Sequence, residues 1–273
     1  MIDTPNLEIN QSASIGASSM QIGVVENNQH YHIGMSPEEA VKTAITMFRE
    51  YYPQLKQEAL ADVERMVAEK LDSIPPENIV APSPRIAVPT LQNASITEET
   101  DIRKMYANLL ANSMNSVVKK GVHPGFVEII KQLSPDEAKI MNYIFAKKAV
   151  PTITLRYENE KGDGMDIVNS FSNIGELVKC EYPLQINTYF NNLIRLGLLE
   201  RSQTSSLSDK SLYEPLKSHP HVASQANQAQ LQKEYNRVKF KESYIFITDY
   251  GKAFCEICIA NIITIELPPI PGI

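Results

Sequence analysis

Leu184-Gln185-Ile186-Asn187-Thr188-Tyr189-Phe190-Asn191-Asn192-Leu193-Ile194-Arg195-Leu196-Gly197-Leu198-Leu199-Glu200-Arg201 is where the architecture turns. Ile186, Phe190, Leu193 and Ile194 recur at helical spacing, so 184–196 reads as a helix with one buried side. Gly197 closes it, and Leu198-Leu199-Glu200-Arg201 reads as a strand. Upstream, the pattern switches at Val150: 152–157 is β-rich, Lys161-Gly162-Asp163-Gly164 signals a turn, and 174–180 reads as a short helix. Downstream, a polar stretch covers 202–242. Tyr244-Ile245-Phe246-Ile247 then returns as a second strand, and Thr248 caps a last helix through Gly251, Phe254, Ile257 and Cys258.

That order of elements over 149–265 is similar to a winged helix-turn-helix. Asn192-Leu193-Ile194-Arg195-Leu196-Gly197-Leu198-Leu199 resembles the end of its recognition helix. Ile247-Thr248-Asp249-Tyr250-Gly251-Lys252-Ala253-Phe254 resembles the joint between wing and last helix. The insertion at 202–242 departs from the pattern, with His219-Pro220-His221 and a Gln/Asn-rich run. Gln185, Thr188, Asn192 and Arg195 on the outward side of the helix are able to read base edges. Affinity for duplex, however, comes mainly from neutralised phosphates. Arg195 and Arg201 sit beside Glu181 and Glu200, while Lys233, Arg237, Lys239 and Lys241 are partly offset by Glu234 and Glu242. An interaction or structural wing is therefore favoured, with DNA binding through Arg237, Lys239 and the helix as the alternative.

Residues 36–148 read as helical. Ser36-Pro37-Glu38-Glu39 and Ser134-Pro135-Asp136-Glu137 are matching helix starts, each with a capping Ser, a Pro in the first turn and an acidic third position. Pro53 ends or kinks the first helix, and a second follows with Leu60, Val63, Val67 and Leu71 on its apolar side. Pro75, Pro76, Pro82, Pro84 and Pro89 make 74–90 read as an extended connector. Thr97 is expected to cap a helix running from Ile102 through Val118 to Gly121. Residues 1–35 carry no Lys or Arg and show short two-residue alternations. They read either as a tail or as strands that assemble subunits, with Ile15, Ile22, Tyr31 and Ile33 as the contact positions. Residues 266–273 read as a tail.

The 273 residues carry a net charge of −6, which excludes a chain-wide basic surface. Hydrophobic content of 43% fits a globular chain. Three Cys cannot make a disulfide framework, and the start has no secretory pattern, so the expected location is cytoplasmic without membrane association. Cys255 and Cys258 with His219 and His221 suggest zinc. Both Cys lie in an apolar helical stretch, though, where a thiol acts as a small hydrophobe. His30 and His32 read as solvent-facing, and Cys180 has no evident base. No catalytic residue, metal ligand set or cofactor is assigned, although a cleft lined by Asp163, Asp166 and Glu176 would reopen the question of an enzyme.

A longer phrase carries a resemblance. Met105-Tyr106-Ala107-Asn108-Leu109-Leu110-Ala111-Asn112-Ser113-Met114, followed by His123-Pro124-Gly125-Phe126-Val127-Glu128-Ile129-Ile130-Lys131-Gln132-Leu133-Ser134-Pro135-Asp136-Glu137-Ala138, resembles the abortive infection alpha family. Tyr106 stands where the family phrase has another aromatic. Met20-Gln21-Ile22-Gly23 and Gly34-Met35-Ser36 resemble a module that precedes bacterial defence and mobile-element proteins. The resemblance implies a bacterial cytoplasmic protein of anti-phage type and brings no catalytic residues. Read as packing, Leu109, Leu110, Phe126, Ile129 and Ile130 form a helix–helix seam, and His123 in the turn is a cap or a backbone hydrogen-bond partner. The combined expectation is a mainly α chain: a short N-terminal β-strand segment, a helical body and a C-terminal winged-helix (α+β) domain. It would work as a homo-oligomer that docks a phage or host protein.

Overall fold

The computed structural model describes residues 36–51, 57–229 and 234–260. The strand and contact positions expected at Ile15, Ile22, Tyr31 and Ile33 lie outside the described residues, as do Lys233 and the tail.

Local chemistry starts the helices. Ser36 Oγ accepts from Glu39 N at 3.2 Å and the Glu39 carboxylate accepts from Ser36 N at 3.1 Å, opening α1 (Pro37–Tyr51). α2 (Gln57–Leu71) buries Leu60, Val63, Val67 and Leu71 as its periodicity requires. α3 (Pro84–Ile96) corrects the expected connector over 74–90. Pro84 occupies the first turn, where its missing N–H costs nothing, and Pro89 is accommodated inside the helix. Packing outweighs the local penalty, because Ile86, Ala87, Leu91 and Ala94 are all buried against the neighbouring helices.

α4 (Thr100–Ser113) begins at Glu99 rather than at Thr97. Thr97 instead ends α3, its hydroxyl donating to Asn93 O at 2.8 Å. α4 also stops earlier than Gly121: Asn115 pairs with Ile79 in an isolated bridge, which pulls the chain out of the helix and leaves Val117 exposed. α5 (Gly125–Lys131) and α6 (Pro135–Lys147) complete the helical part.

β1 (Ala149–Glu158) and β2 (Gly164–Phe171) follow, then α7 (Ile174–Leu177) and α8 (Ile186–Arg195). β3 (Leu199–Arg201), α9 (Glu214–Lys217), α10 (Pro220–Ala229) and β4 (Arg237–Ile247) precede α11 (Asp249–Phe254), which runs on as a π turn, Cys255–Ile259. The sheet is antiparallel in the order β2-β1-β4-β3. β1 and β4 stay in register from Ala149 opposite Phe246 to Glu158 opposite Arg237. Two expectations change here. β2 is an added strand, and the polar stretch expected over 202–242 holds two short helices and half of β4. β4's exposed half alternates charged and apolar residues, which hides the two-residue period from a search for apolar runs.

Gly197 ends α8 with φ +75°, a conformation that a β-carbon disfavours. At Gly251 a β-carbon would lie 2.1 Å from Leu198 O, so only glycine lets α11 approach the start of β3. The buried residues from Ala40 to Ile259 form one continuous core across the helices and the sheet.

Leu91, fully buried in α3, tests the connector correction. Leu91→Ala is expected to lower unfolding free energy by roughly 2–5 kcal/mol in urea titration. A change below about 0.5 kcal/mol, as for an exposed linker, would contradict it.

Candidate interaction surface

Ser134-Pro135-Asp136-Glu137 builds more than a helix cap. Ser134 Oγ accepts from Glu137 N, and one Glu137 carboxylate oxygen accepts from Ser134 N at 2.7 Å, closing a capping box. The other oxygen accepts from Asn192 Nδ2 on α8 at 2.7 Å. Asp136, one residue earlier, is buried and fully engaged. Its Oδ2 accepts from Tyr189 OH at 2.9 Å and Glu181 N at 2.9 Å, and its Oδ1 accepts from Lys139 Nζ at 3.0 Å. Burial pushes the Asp136 carboxyl upward, but Lys139, Tyr189 and the Glu181 N–H outweigh it and hold the group below the ordinary carboxylate value. The first turn of α6 is thus the joint to the α7–α8 turn.

The proposed base-reading residues can now be placed. Asn192 donates to Gln132 O at 3.1 Å as well as to Glu137, and Arg195 donates to Asn192 Oδ1 and to Gln132 Oε1 at 2.9 Å. Both therefore face the end of α5. Gln185 stands at the start of α8, and it and Thr188 are exposed. Arg237 and Lys239 lie at the start of β4, on the same side of the sheet as Arg156 and Lys241. Among the described residues, the bonds of Asn192 and Arg195 run to the α5–α6 region and that of Lys239 to Glu158 on β1.

Sequence reasoning missed Arg156. It bridges Asp166 at 3.0 Å and Glu158 at 3.2 Å, while Lys241 pairs with Asp166 and Lys239 with Glu158. The cross-strand register, Arg156 opposite both Asp166 and Lys239, creates this ladder. A single sequence without β2 assigned gives no signal for it. The ladder commits Asp166 to cations. Glu176 faces His219 Nε2 at 3.0 Å, and the Asp163 carboxylate accepts from Asn159 Nδ2 at 3.5 Å, so each carboxylate of the suspected acidic cleft has a structural partner.

The thiols are similarly occupied by packing. Cys180 is pushed up to about 12, first by burial and then by Asp136. Burial also raises Cys255 and Cys258, both without exposed surface. Among the described residues, no three of His, Cys, Asp and Glu gather as a metal site requires. No helix among them is long and apolar enough to cross a membrane.

The second joint comes from the Asn-rich phrase of α4. Asn108 Nδ2 donates to Cys258 O at 2.8 Å and Asn112 Nδ2 to Ile257 O at 2.7 Å, so two amides one helical turn apart hold the π turn. His123 Nδ1 accepts from Gly125 N at 3.0 Å, so it is a backbone hydrogen-bond partner just ahead of α5, whose N-cap position is Pro124. Its ring lies against Phe126 and Tyr250, and Phe126 meets Phe254 edge-on.

A family model described as "Abortive infection alpha" matches residues 55–258, which contain both joints. No curated protein matches the chain. Among solved structures, that of an uncharacterized protein from the hydrocarbon-degrading marine bacterium Alcanivorax borkumensis SK2 is 18% identical. It covers 46% of this chain and 85% of its own, with a TM-score of 0.34.

The Asp136 joint makes a pH prediction. A folded-state carboxyl held below its unfolded value of about 3.9 adds stability above that pH and loses it as pH falls. Asp136→Ala is expected to cost about 3 kcal/mol at pH 7. In denaturant titrations that gap from wild type should narrow steadily below about pH 4. A gap that stays constant down to pH 2.5 would show that the charge contributes nothing.

Proposed function

Because this chain belongs to the abortive infection alpha family, we propose that it acts in abortive infection as a non-enzymatic, oligomeric interaction protein. One observation carries the reading: the polar side chains of the family phrase are spent on joining elements. Asn108, Asn112, Asp136 and Glu137 all hold backbone or side-chain groups of the C-terminal half. A catalytic carboxylate needs a proton to move and room for substrate; Asp136 has neither, being buried and held charged by its donors. We read β4 lying between β1 and β3 in the sheet, with α7 and α8 between β1 and β3 in the chain, as a winged-helix unit enlarged by β2 and by the insertion. In this reading the unit serves contact rather than base reading, since Asn192 and Arg195 are turned to Gln132 and Glu137. The cytoplasm is its expected place of action.

Light scattering tests assembly. Full-length protein is expected at a multiple of the 30.6 kDa subunit mass, and protein lacking residues 1–35 at a smaller multiple. Identical monomeric behaviour of the two would reject the oligomer. In the same buffer at low salt, no duplex retardation is expected. Retardation that falls steeply with salt and is lost in Arg195→Ala and Lys239→Ala would establish the DNA-binding alternative instead.

A further inference from the structure

At the end of the sheet where β4 begins, one side carries charged rather than apolar residues. Residues opposite each other in an antiparallel ladder share a side, so the pairs Arg156–Asp166, Arg156–Lys239 and Glu158–Arg237 project together, with Lys241 two residues further along β4. Lys239 is 61% exposed, Lys241 47%, and Arg237 is exposed as well. Four cations share this side with two carboxylates, and each carboxylate is already divided. Asp166 lies between Arg156 and Lys241, and Glu158 between Arg156 and Lys239. Exposed ion pairs contribute little, so the two lysines are not committed by them.

The layout of the cations selects the ligand. Arg237, Lys239 and Lys241 occupy alternate positions of one strand, which sets neighbours about 7 Å apart along it. That is close to the step between phosphates along one nucleic acid strand, where every step carries a charge. A lipid surface fits less well. The exposed apolar side chains here, Met165 and Val238, alternate with Asp166 and Lys239 and so lie on the opposite side of the sheet. A duplex also fits less well. α8 packs on β2 and β3 and turns Asn192 and Arg195 to Glu137 and Gln132, so it presents no recognition helix to a groove. What α8 exposes at its start is Gln185 and Thr188, neutral groups that pair with donors and acceptors of unpaired bases.

We propose that the row Arg237, Lys239 and Lys241 binds the sugar–phosphate backbone of single-stranded nucleic acid, with Arg156 neutralising the two carboxylates beside it. This is a binding function beyond the protein contacts argued above, and it does not depend on whether the chain is an oligomer.

The test titrates full-length protein into a fluorescent twelve-nucleotide poly-dT strand and reads anisotropy from about 50 to about 300 mM KCl. Three phosphate contacts predict a slope of log affinity against log salt of about −2. Lys239→Gln combined with Lys241→Gln is expected to weaken binding at least tenfold at the lowest salt and to bring the slope to about −0.7. Lys239→Gln alone, at the more exposed position, should flatten the slope by about 0.7. Lys120→Gln, exposed on the helical part, should leave affinity and slope unchanged. A duplex of the same length is expected to bind at least tenfold more weakly. Absence of binding at the lowest salt overturns the proposal, as does binding that the Lys239 and Lys241 substitutions do not change. A duplex held as tightly as the single strand overturns the choice of ligand. Displacement of the strand by poly-glutamate at equal charge concentration overturns it too and assigns the row to an acidic protein.

Discussion

One carboxylate pair at the start of α6 sets the relation between the helices and the sheet half. Asp136 and Glu137 occupy the first turn, where the helix dipole favours negative charge and free N–H groups need acceptors. An ordinary cap would use one oxygen and leave the rest to water. Here Glu137 caps with one oxygen and receives Asn192 with the other, while Asp136 gathers Tyr189, Lys139 and the N–H groups of the α7–α8 turn. Replacing such a network with apolar residues would leave buried N–H groups of that turn without acceptors. The joint specifies an angle between elements that packing alone would allow to vary.

A second, independent joint acts at the other end of the core. The π turn at Cys255–Ile259 departs from ordinary helical pairing, and Asn108 and Asn112 each supply a donor to its carbonyls. Both amides come from α4, whose remaining faces pack on α2, α3 and α5. The last helix is therefore bonded to the centre of the helical part and not merely laid against it. With the aromatic contacts of His123, Phe126, Tyr250 and Phe254, the polar and apolar terms reinforce one another across the same seam.

What was legible in the sequence follows the range of each signal. Caps act over three or four residues, so Ser36, Ser134 and Thr248 could be placed in advance, and Gly197 was readable as a helix end. The helical content of 84–96 was not, because its cause is long-range. Prolines argue locally against a helix, and the burial that outweighs them becomes visible only once α2 and α4 stand beside it. β2 was missed for a related reason. Val168 directly after Ile167, and Asn169-Ser170 after it, break the two-residue period of Met165-Asp166-Ile167, and the pairing of β2 with β1 contains register shifts. The functional residues divide in the same way. Arg195 and Asn192 stand out in the sequence as chemically capable. Their engagement with Gln132 depends on a contact some sixty residues away, which spacing along one helix does not encode.

The same accounting bears on mechanism. A side chain can do chemistry only with atoms its fold leaves free, and the phrase shared with the family leaves few. Its carboxylates, amides and imidazole each hold a structural partner, and the thiols that pack nearby are kept protonated by burial. Around the turn whose backbone Asp136 bonds, the fold leaves apolar surface exposed at Leu177, Tyr182 and Leu184. The carboxylate that joins α6 to α8 thus also holds the backbone of the α7–α8 turn.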